Sequence, residues 1–542
     1  MPPKTAKRLF AEQLIKKNSK KADRELARLL YNSQFKKEFT DYEHARSTIR
    51  QIRGHLGERQ KNNLSDKSLI TPASHSKTYI ATKEPKQYKD ATKRKLNKSK
   101  YYLITWAQNN TPIHKEFWAN LQAYSKFLGA EIHVVLGRYR NPVTLNGIDS
   151  EEFWDKEVLP YADAHRHNIH KNLQLLSDIK VQPTASSPLS SLEGVSGQQS
   201  CIIGHPKRQF KVIASLEGIE QKMMFTTGAV TQRNFTDSKA GKKGEFHFSY
   251  GFVIVEIKDK DVFFIRQVSA NNDGTFTDLI HKVKDSSVTK IKSIEYYNVG
   301  DRHNGVHCLL VEKQQEKLLN YFKPKHTIVH DITDGYSVNA HIEKDPIAKY
   351  QQYIEGKNLI KQEIDNLFGW VDRWLKYNLV CISSNHQDWF DRYIRYQDWK
   401  KDIANAMEYI EFSKILLSGK APNGIIAYLL KQKYSNKIKI VSRNDSFKIN
   451  KISHHHGDFG INGAKGSAMS FKKLSTKQDI GHGHTPFVEE GVYGLGTSTE
   501  LRLGYNLGAS NWKQADIICH KDSKRQHIIF QGSKKEFTTF II

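Results

Sequence analysis

The segment "GHGHTP" (481–486) places His482 and His484 one residue apart, with glycines beside them. Alternate residues of an extended chain point to the same side, so the two imidazoles could face one site. Imidazole is a common ligand of transition metals, and glycine lets the backbone approach closely. In a chain with 24 histidines, a polar loop is the alternative. A metal site therefore needs further ligands elsewhere in the chain.

Four more polar clusters each follow the carboxyl end of a predicted strand. They are Asp301-x-His303, Asp331, Asn385-His386 and His456. Open α/β sheets build their sites at that edge. With the two histidines of "GHGHTP", and leaving His386 aside, the clusters supply two carboxylates, one amide oxygen and four imidazoles, which suits Mn, Fe or Zn rather than Ca. Each cluster alone could be a cap, a turn or a solvated run, but their joint order favours two metal ions that share a carboxylate.

The order of the motifs D-x-H, D-x-x-D, N-H, H-G and G-H-x-H across residues 290–535 resembles the calcineurin-like metallophosphoesterase superfamily. The resemblance implies a first metal held by Asp301, His303, Asp331 and His484, and a second held by Asp331, Asn385, His456 and His482. It also implies that Asp331 bridges the ions and that His386 contacts the scissile phosphate and protonates the leaving oxygen. The implied fold for residues 290–542 is a four-layer α/β/β/α sandwich.

Two residues depart from the superfamily pattern. His330 stands where a glycine usually precedes the bridging aspartate, and Gln387 replaces the acidic residue that often orients the histidine of the N-H pair. Either Asp388 or Asp391 takes over that orientation, or His386 is poised differently.

The ligand in "SHHHGD" (453–458) is open to an alternative. His456 is assigned because it directly precedes a glycine, as in the H-G motif. His454 lies two residues earlier, on the same side of a predicted strand, and could take its place.

Basic residues point to a polyanionic partner. The net charge is +27, and residues 1–100 hold 26 Lys and Arg against 10 Asp and Glu. This localised charge favours nucleic acid, with a merely solubilising tail as the alternative. The residues expected to contact substrate are Arg46, Arg50, Arg53, Arg302 and Lys465. Lys465 lies in the glycine-rich segment 462–467, which could place backbone N–H groups near a phosphate or be a flexible loop.

The chain is expected to contain four segments. They are a basic helical module (1–55), a flexible basic linker (56–99), a smaller α/β accessory domain (100–289) and a metallophosphoesterase domain (290–542). The helices of the first segment suit a helix-turn-helix-like DNA module, and a plain helical hairpin for assembly is the alternative.

Composition sets further limits. No apolar run is long enough to span a bilayer, and the N-terminus lacks the apolar stretch of a secretory signal. The four cysteines are scattered, which argues against a disulfide framework and favours a reducing cytoplasm, the host's if a phage encodes the chain. Homo-oligomers would raise avidity for DNA, but no heptad indicates one.

These features together predict a metal-dependent phosphodiesterase. The expected substrate is DNA, cut with low sequence specificity, and the expected cofactor is a pair of divalent ions, Mn first and Mg, Fe or Zn as alternatives. The arrangement also resembles the host-DNA-degrading nucleases of T5-like phages. A phosphomonoesterase or protein phosphatase is one alternative, and a non-catalytic DNA-binding or transfer protein is another.

Overall fold

The computed structural model describes residues 5–19, 21–53, 86–139, 152–504, 506–533 and 536–540. The chain divides into two compact units, Met1–Glu84 and Pro85–Ile542. Most of the predicted linker (56–99) lies outside the described residues, which resume at Lys86.

The N-terminal unit is helical. Its described helices are α1 (Ala6–Lys17), α2 (Asp23–Tyr31) and α3 (Tyr42–Arg53). Leu30 of α2 and Ile49 of α3 are fully buried in a small apolar core that packs the helices together. Asp41 Oδ1 accepts a hydrogen bond from the His44 N–H at 2.8 Å and so satisfies a donor at the start of α3. The helices predicted within residues 5–55 are therefore confirmed.

The second unit begins with helix α4 (Lys86–Ala91) and a five-stranded sheet. The strands of this sheet are β1 (Tyr101–Gln108), β2 (Glu131–Gly137), β3 (Ala162–Asp163), β9 (Gly251–Ile257) and β10 (Phe263–Ser269), in the spatial order β10-β9-β1-β2-β3. Helix α5 (Lys115–Leu128) joins the parallel strands β1 and β2 and ends at Gly129, whose φ of 63° only glycine adopts easily. This β-α-β unit agrees with the α/β character predicted for the segment that begins at residue 100.

A ten-stranded sheet combines two distant parts of the chain. Five strands come from the middle: β4 (Arg166–His170), β5 (Leu173–Leu176), β6 (Ser200–Ile203), β7 (Gln209–Ile213) and β8 (Lys222–Thr226). Five come from the C-terminal half: β18 (Phe447–Ile449), β19 (Ile452–His455), β20 (Lys477–Ile480), β21 (Phe487–Glu489) and β22 (Val492–Gly494). The spatial order is β18-β19-β20-β22-β21-β7-β8-β6-β5-β4, so β7 and β21 join the two halves.

This sheet changes the predicted domain division. The expected accessory domain (100–289) and catalytic domain (290–542) share one set of backbone hydrogen bonds between β7 and β21. Residues 85–542 accordingly form a single compact unit. The boundary expected near residue 290 is corrected for this physical reason: one sheet runs through it.

A six-stranded sheet carries the other half of the fold. Its strands are β14 (Tyr296–Asn298), β15 (His326–His330), β16 (Leu379–Ile382), β17 (Lys439–Val441), β23 (Ala515–Cys519) and β24 (Arg525–Ile529), in the order β17-β16-β15-β14-β23-β24. The helices that pack on it are α7 (Leu309–Phe322), α9 (Ile360–Trp374), α10 (Asn385–Tyr396) and α12 (Ile425–Tyr434).

The remaining elements are short or peripheral. The helices are α6 (Lys239–His247), α8 (Pro346–Ile354), α11 (Ala406–Leu417) and α13 (Ala468–Lys472). The strands β11 (Phe276–Asp278), β12 (His281–Lys284) and β13 (Ser287–Lys290) form one small sheet, and β25 (Gln531–Ser533) and β26 (Glu536–Thr538) form another.

Alternating side chains of the six-stranded sheet build two cores. Tyr297 and Val329 face the helices, whereas Tyr296 and Ile328 belong to the core shared with the ten-stranded sheet. The Tyr296 hydroxyl also donates to Asp479 Oδ2 of β20 at 2.6 Å, which ties the sheets together. The α/β class is confirmed.

The outer face of the ten-stranded sheet packs against side chains of residues 179–195 and against α13. The four-layer α/β/β/α arrangement is therefore not confirmed.

No helix among the described residues has the length and apolar character needed to cross a membrane. All four cysteines are buried and free.

A buried charge network fixes the five-stranded sheet to its neighbours. Arg266 of β10 binds Asp278 of β11 through two nitrogen–oxygen contacts of 2.6 Å and also pairs with Glu256 of β9. Tyr124 of α5 donates to Asp278 Oδ2 at 2.7 Å. Because Arg266, Asp278 and Glu256 are almost fully buried, each charge depends on its partners.

Arg266→Met should destabilise the second unit by about 3–5 kcal/mol, since it leaves two carboxylates buried without a cation. Urea unfolding followed by circular dichroism measures the shift. The control is Arg166→Met, whose pair with Asp178 has side chains 37% and 40% exposed and should contribute less than about 1 kcal/mol. Equal shifts in both variants would contradict a structural role for the buried network.

Candidate metal centre

Two sheet edges bring the predicted ligands together. Asp301, Asp331 and Asn385 follow β14, β15 and β16, which are parallel neighbours in the six-stranded sheet. His456 and His482 follow β19 and β20, which are parallel neighbours in the ten-stranded sheet. Parallel strands end at the same edge, so each sheet supplies one set of ligands.

The first predicted metal group is assembled in the structure. His303 Nε2 lies 3.2 Å from Asp331 Oδ2 and 3.0 Å from His484 Nε2. His484 Nε2 lies 3.3 Å from Asp301 Oδ2. All four side chains are buried, and three of them, His303, Asp331 and His484, have ligand atoms close enough to hold one ion.

The second predicted group adjoins the first through Asp331. His456 Nε2 lies 3.4 Å from Asp331 Oδ2 and 2.9 Å from Asn385 Oδ1. The rings of His456 and His482 have centroids 5.1 Å apart. Asp331 Oδ2 thus lies between His303 of the first group and His456 of the second, as a shared ligand requires.

Several buried polar atoms that could bind a metal ion at this site have no hydrogen-bond partner within the described part of the chain. They are both carboxylate oxygens of Asp301 and both of Asp331. Buried polar groups are nearly always satisfied, so such a convergence requires an explanation. A divalent cation satisfies carboxylate and imidazole lone pairs together, and the residues therefore fit a metal centre.

The pKa shifts of the Asp301 and Asp331 carboxylates also favour a metal centre. Burial, followed by the neighbouring charge of Asp331, raises the pKa of Asp301 well above its usual range. Burial also opposes ionisation of Asp331, but His456 and His303 hold its pKa well below the usual range. Two carboxylates this close are not both stable as anions without cations between them.

The histidines divide into two classes. Burial lowers the pKa of His456 and His484 well below the usual range, which keeps them neutral, the form that binds metal. Burial also acts on His303, but Asp331 and Asp334 outweigh it and raise the pKa of His303.

The backbone at the centre adopts a rare conformation. His303, Asp331, His482 and His484 have φ values of 46°, 44°, 64° and 52°. Non-glycine residues in the left-handed region each cost of order 1–3 kcal/mol and cluster at functional sites. Four such residues in one centre indicate that the surrounding structure holds the ligands in place against that cost.

Gly481 explains the first glycine of the "GHGHTP" segment. A Cβ built on it would collide with the Asp301 carboxylate. A side chain is therefore excluded there by the close approach of a ligand. Gly483 differs, because its Cβ would meet nothing nearer than the Gly481 carbonyl oxygen at 3.9 Å.

His386 is oriented by a backbone carbonyl. Its Nδ1 lies 2.6 Å from the Asp334 carbonyl oxygen, so Nδ1–H donates and Nε2 is left for a substrate. Burial lowers the pKa of His386. Its ring lies 4.4 Å from the His303 ring, against the first metal group, and its side chain stays 15% exposed.

The sequence left three ways to orient His386: through Asp388, through Asp391, or in a different way. The structure shows the last. Gln387 caps α10, since its Oε1 accepts from the Ser384 N–H at 2.8 Å. Asp388 pairs with Arg443, and Asp391 accepts from the Ile425 N–H at 3.1 Å. Neither acid orients the histidine.

The structure adds three residues that the sequence did not assign. Asp334 Oδ1 lies 3.0 Å from His303 Nδ1 and fixes the ring; its signal was the second acid of D-x-x-D. Glu363 of α9 accepts from the Gly335 and Ser337 N–H groups and holds that loop, and no sequence motif marks it. His330, noted only as a departure, could ligate an ion with Asp301 and His456.

Several predicted substrate contacts need correction. Arg302 is fully buried, lies over the Trp370 ring at 4.6 Å and pairs with Glu312 at 3.0 Å, so it is a core residue. Arg53 pairs with Asp23 at 3.0 Å and donates to two backbone carbonyls of its own unit. Its guanidinium is therefore engaged within that unit.

The other three basic residues differ in pairing and exposure. Arg46 pairs with Glu43 at 3.1 Å, whereas Arg50 is half-buried. Lys465 is exposed. Contact of these three side chains with substrate stays a prediction.

The alternative ligand His454 lies elsewhere. Its Nδ1 is 3.5 Å from Asp479 Oδ2, and its ring meets Tyr296 at 4.5 Å. His456, with its contacts to Asp331 and Asn385, is the histidine of this run in the centre.

The chain is 28% identical over 475 residues to Protein A1 of Escherichia phage T5. The alignment covers 81% of this chain and 83% of that protein. No family model and no solved structure matches the chain. The similarity relates the chain to a phage protein whose name states no activity, so membership of the metallophosphoesterase superfamily stays a prediction.

His456→Ala should weaken Mn²⁺ binding at least tenfold, because it removes a ligand beside the shared carboxylate. Calorimetric titration of the purified protein measures the affinity. His455→Ala is the control, since the adjacent His455 bonds Gln478 Oε1 at 2.9 Å outside the centre. Equal loss of affinity in both variants would contradict the assignment.

Gly481→Ala should also abolish tight Mn²⁺ binding, because the new methyl group displaces the Asp301 carboxylate. Gly483→Ala places its methyl group in open space and should leave the affinity near that of the unaltered protein. The same titration compares them. Unchanged binding by Gly481→Ala would contradict a role for Asp301 as a ligand.

Proposed function

We propose that the chain is a two-metal phosphodiesterase that hydrolyses DNA. The observation that carries the proposal is the position of Asp331 Oδ2, 3.2 Å from His303 Nε2 and 3.4 Å from His456 Nε2. One buried carboxylate between two histidine groups is the arrangement by which a protein holds two adjacent divalent ions.

The proposed ligands are those of the two groups above. Asp301, His303, Asp331 and His484 would hold one ion, and Asp331, Asn385, His456 and His482 the other. Bound divalent ions supply Lewis acidity, which lowers the pKa of a water towards neutral pH and stabilises charge on phosphoryl oxygens. Mn²⁺ is the proposed ion because the donor set mixes imidazole with carboxylate oxygen, and Mg²⁺, Fe²⁺ and Zn²⁺ are its competitors.

His386 is the proposed proton donor. The Asp334 carbonyl fixes its tautomer at Nδ1, and its ring borders the first metal group at partial exposure. For an imidazole to donate to a leaving oxygen it must carry a second proton on Nε2. Burial lowers the pKa of His386, and the carboxylates of Asp331 and Asp334 oppose that shift, the latter lying 3.9 Å from His386 Nδ1.

Charge and similarity support DNA as the substrate. Residues 1–100 carry 26 Lys and Arg against 10 Asp and Glu, and the whole chain has a net charge of +27. A polyphosphate backbone is attracted by such a chain without sequence preference. The similarity to a phage protein is consistent with a nuclease that acts in an infected cell.

Asp331→Asn should abolish cleavage of linear and circular DNA in Mn²⁺, while salt-sensitive DNA retention persists. Cleavage by the unaltered protein is followed by gel electrophoresis with Mn²⁺, Mg²⁺, Zn²⁺ or EDTA. Asp345→Asn is the matched control, since Asp345 only caps α8. Cleavage that survives in Asp331→Asn, or in EDTA, would contradict the proposal.

His386→Ala should lower the cleavage rate about 10²–10⁴-fold and leave Mn²⁺ affinity nearly unchanged, because a proton donor is lost and a ligand is not. Single-turnover kinetics and calorimetry separate the two effects. His341→Ala is the control, since the exposed His341 packs on the same Trp389 ring as His386. A full rate in His386→Ala would exclude it as the donor.

The same assays decide between the alternatives. Turnover of p-nitrophenyl phosphate without cleavage of plasmid DNA would select a phosphomonoesterase. Tight DNA binding without hydrolysis in any of the divalent ions would select a non-catalytic DNA-binding protein.

A further inference from the structure

A second cluster of metal-binding side chains lies away from the proposed active centre. His133 belongs to β2, Asp163 to β3 and His167 to β4. Strand β3 is the edge strand of the five-stranded sheet and β2 is its neighbour, and β4 is an edge strand of the ten-stranded sheet. The cluster therefore lies where the chain passes from one sheet to the other.

The three side chains converge on one carboxylate oxygen. Asp163 Oδ2 lies 3.0 Å from His133 Nδ1 and 2.5 Å from His167 Nε2. His133 and Asp163 are fully buried, and the His167 side chain is 5% exposed. One ligand atom from each lies within bonding reach of a single ion.

His165 and Glu131 surround this group. His165 Nδ1 lies 3.5 Å from the other oxygen of Asp163, and the His165 ring centroid is 3.8 Å from that of His167. Glu131 Oε1 lies 3.4 Å from His133 Nε2 but also pairs with Arg94 at 3.3 Å. Because Glu131 is already paired with Arg94, His165 is the better candidate for a fourth ligand.

Hydrogen bonding leaves part of the cluster unsatisfied. Nε2 of His167 and Nδ1 of His165 are buried beside the Asp163 carboxylate, and neither has hydrogen-bond geometry to a neighbour among the described residues. Buried polar nitrogens are nearly always satisfied, and a cation next to Asp163 would satisfy the lone pairs of these two.

We propose that His133, Asp163 and His167 bind a structural divalent transition-metal ion, Zn²⁺ foremost, with His165 or a water as the fourth ligand. Imidazole and carboxylate donors suit tetrahedral Zn²⁺. Two ligands that are each about 2 Å from a tetrahedral ion lie roughly 3.3 Å apart. The 3.0 Å between His133 Nδ1 and Asp163 Oδ2 is close to that separation, whereas the 2.5 Å between His167 Nε2 and Asp163 Oδ2 must lengthen when an ion binds.

Such an ion would join the two sheets at their edges. Strand β3 has only two residues and pairs with β2 alone, so few backbone bonds hold this crossing. An ion bound by β2, β3 and β4 would add three bonds at that point. Because it binds only the folded chain, it would stabilise the second unit without taking part in catalysis.

The test measures metal content with the proposed active centre disabled. The starting protein, called the background below, is the full-length double variant Asp331→Asn, His484→Ala. It is loaded with Zn²⁺, and weakly bound metal is then removed on a chelating resin. Adding His133→Gln and His167→Gln to this background should lower its zinc content by one ion per chain, as measured by inductively coupled plasma mass spectrometry. Adding His170→Gln instead should not lower it, since that histidine of β4 bonds the Asp259 carbonyl outside the cluster.

A second measurement does not depend on how the variants fold. Zn²⁺ should raise the thermal unfolding midpoint of the background protein by several degrees, and zinc-edge X-ray absorption should show at least two imidazole ligands. An equal zinc content with and without His133→Gln and His167→Gln would overturn the proposal. So would a background protein that retains no zinc, which would leave the cluster as a hydrogen-bonded His–Asp network.

Discussion

The Asp331 carboxylate lies between His303 and His456, and the rest of the proposed active centre depends on that shared position. Asp301, His303 and Asp331 come from the edge of the six-stranded sheet, whereas His456 and the "GHGHTP" histidines come from the edge of the ten-stranded sheet. Neither sheet holds a complete set of ligands. Packing of the two sheets, tied by the bond from Tyr296 to Asp479, is therefore what makes the centre possible. Two carboxylates buried together are tolerable only because imidazoles, and in the proposal cations, surround them.

The same centre carries a local cost in backbone conformation. Four of its residues have positive φ although none is glycine. Residue 481 must be glycine because a Cβ there would collide with the Asp301 carboxylate. The surrounding bonds maintain this arrangement. Asp334 fixes His303 and, through its carbonyl, His386, while Glu363 fixes the loop that carries Asp334. The imidazoles are consequently positioned before any ligand binds, which is the state that an efficient site requires.

Some of the basic residues of the chain are paired inside the protein, and only the rest can be proposed to bind a polyanion. Arg302, Arg266 and Arg525 are buried, and each pairs with a carboxylate that it stabilises. Arg53 holds the N-terminal helices in the same way. A count of charges does not separate such residues from those that face a polyanion. Residues 1–100, however, hold 26 Lys and Arg against 10 Asp and Glu, so the acids of that segment cannot neutralise its cations, and this excess remains the basis for proposing DNA.

The sequence determined the local elements and the identity of the proposed ligands. Local patterns located the helices of the first segment and the strands that precede Asp331 and Asn385, because these elements depend on neighbours in the chain. The resemblance of the motif order to the metallophosphoesterase superfamily selected Asp331 and His456. Tertiary structure alone decided that residues 100–289 complete the ten-stranded sheet, that Arg302 is a core residue, and that a backbone carbonyl orients His386. It also brought His133, Asp163 and His167 together. These outcomes depend on which distant segments pair and pack, and no periodicity or spacing along a single chain records that choice.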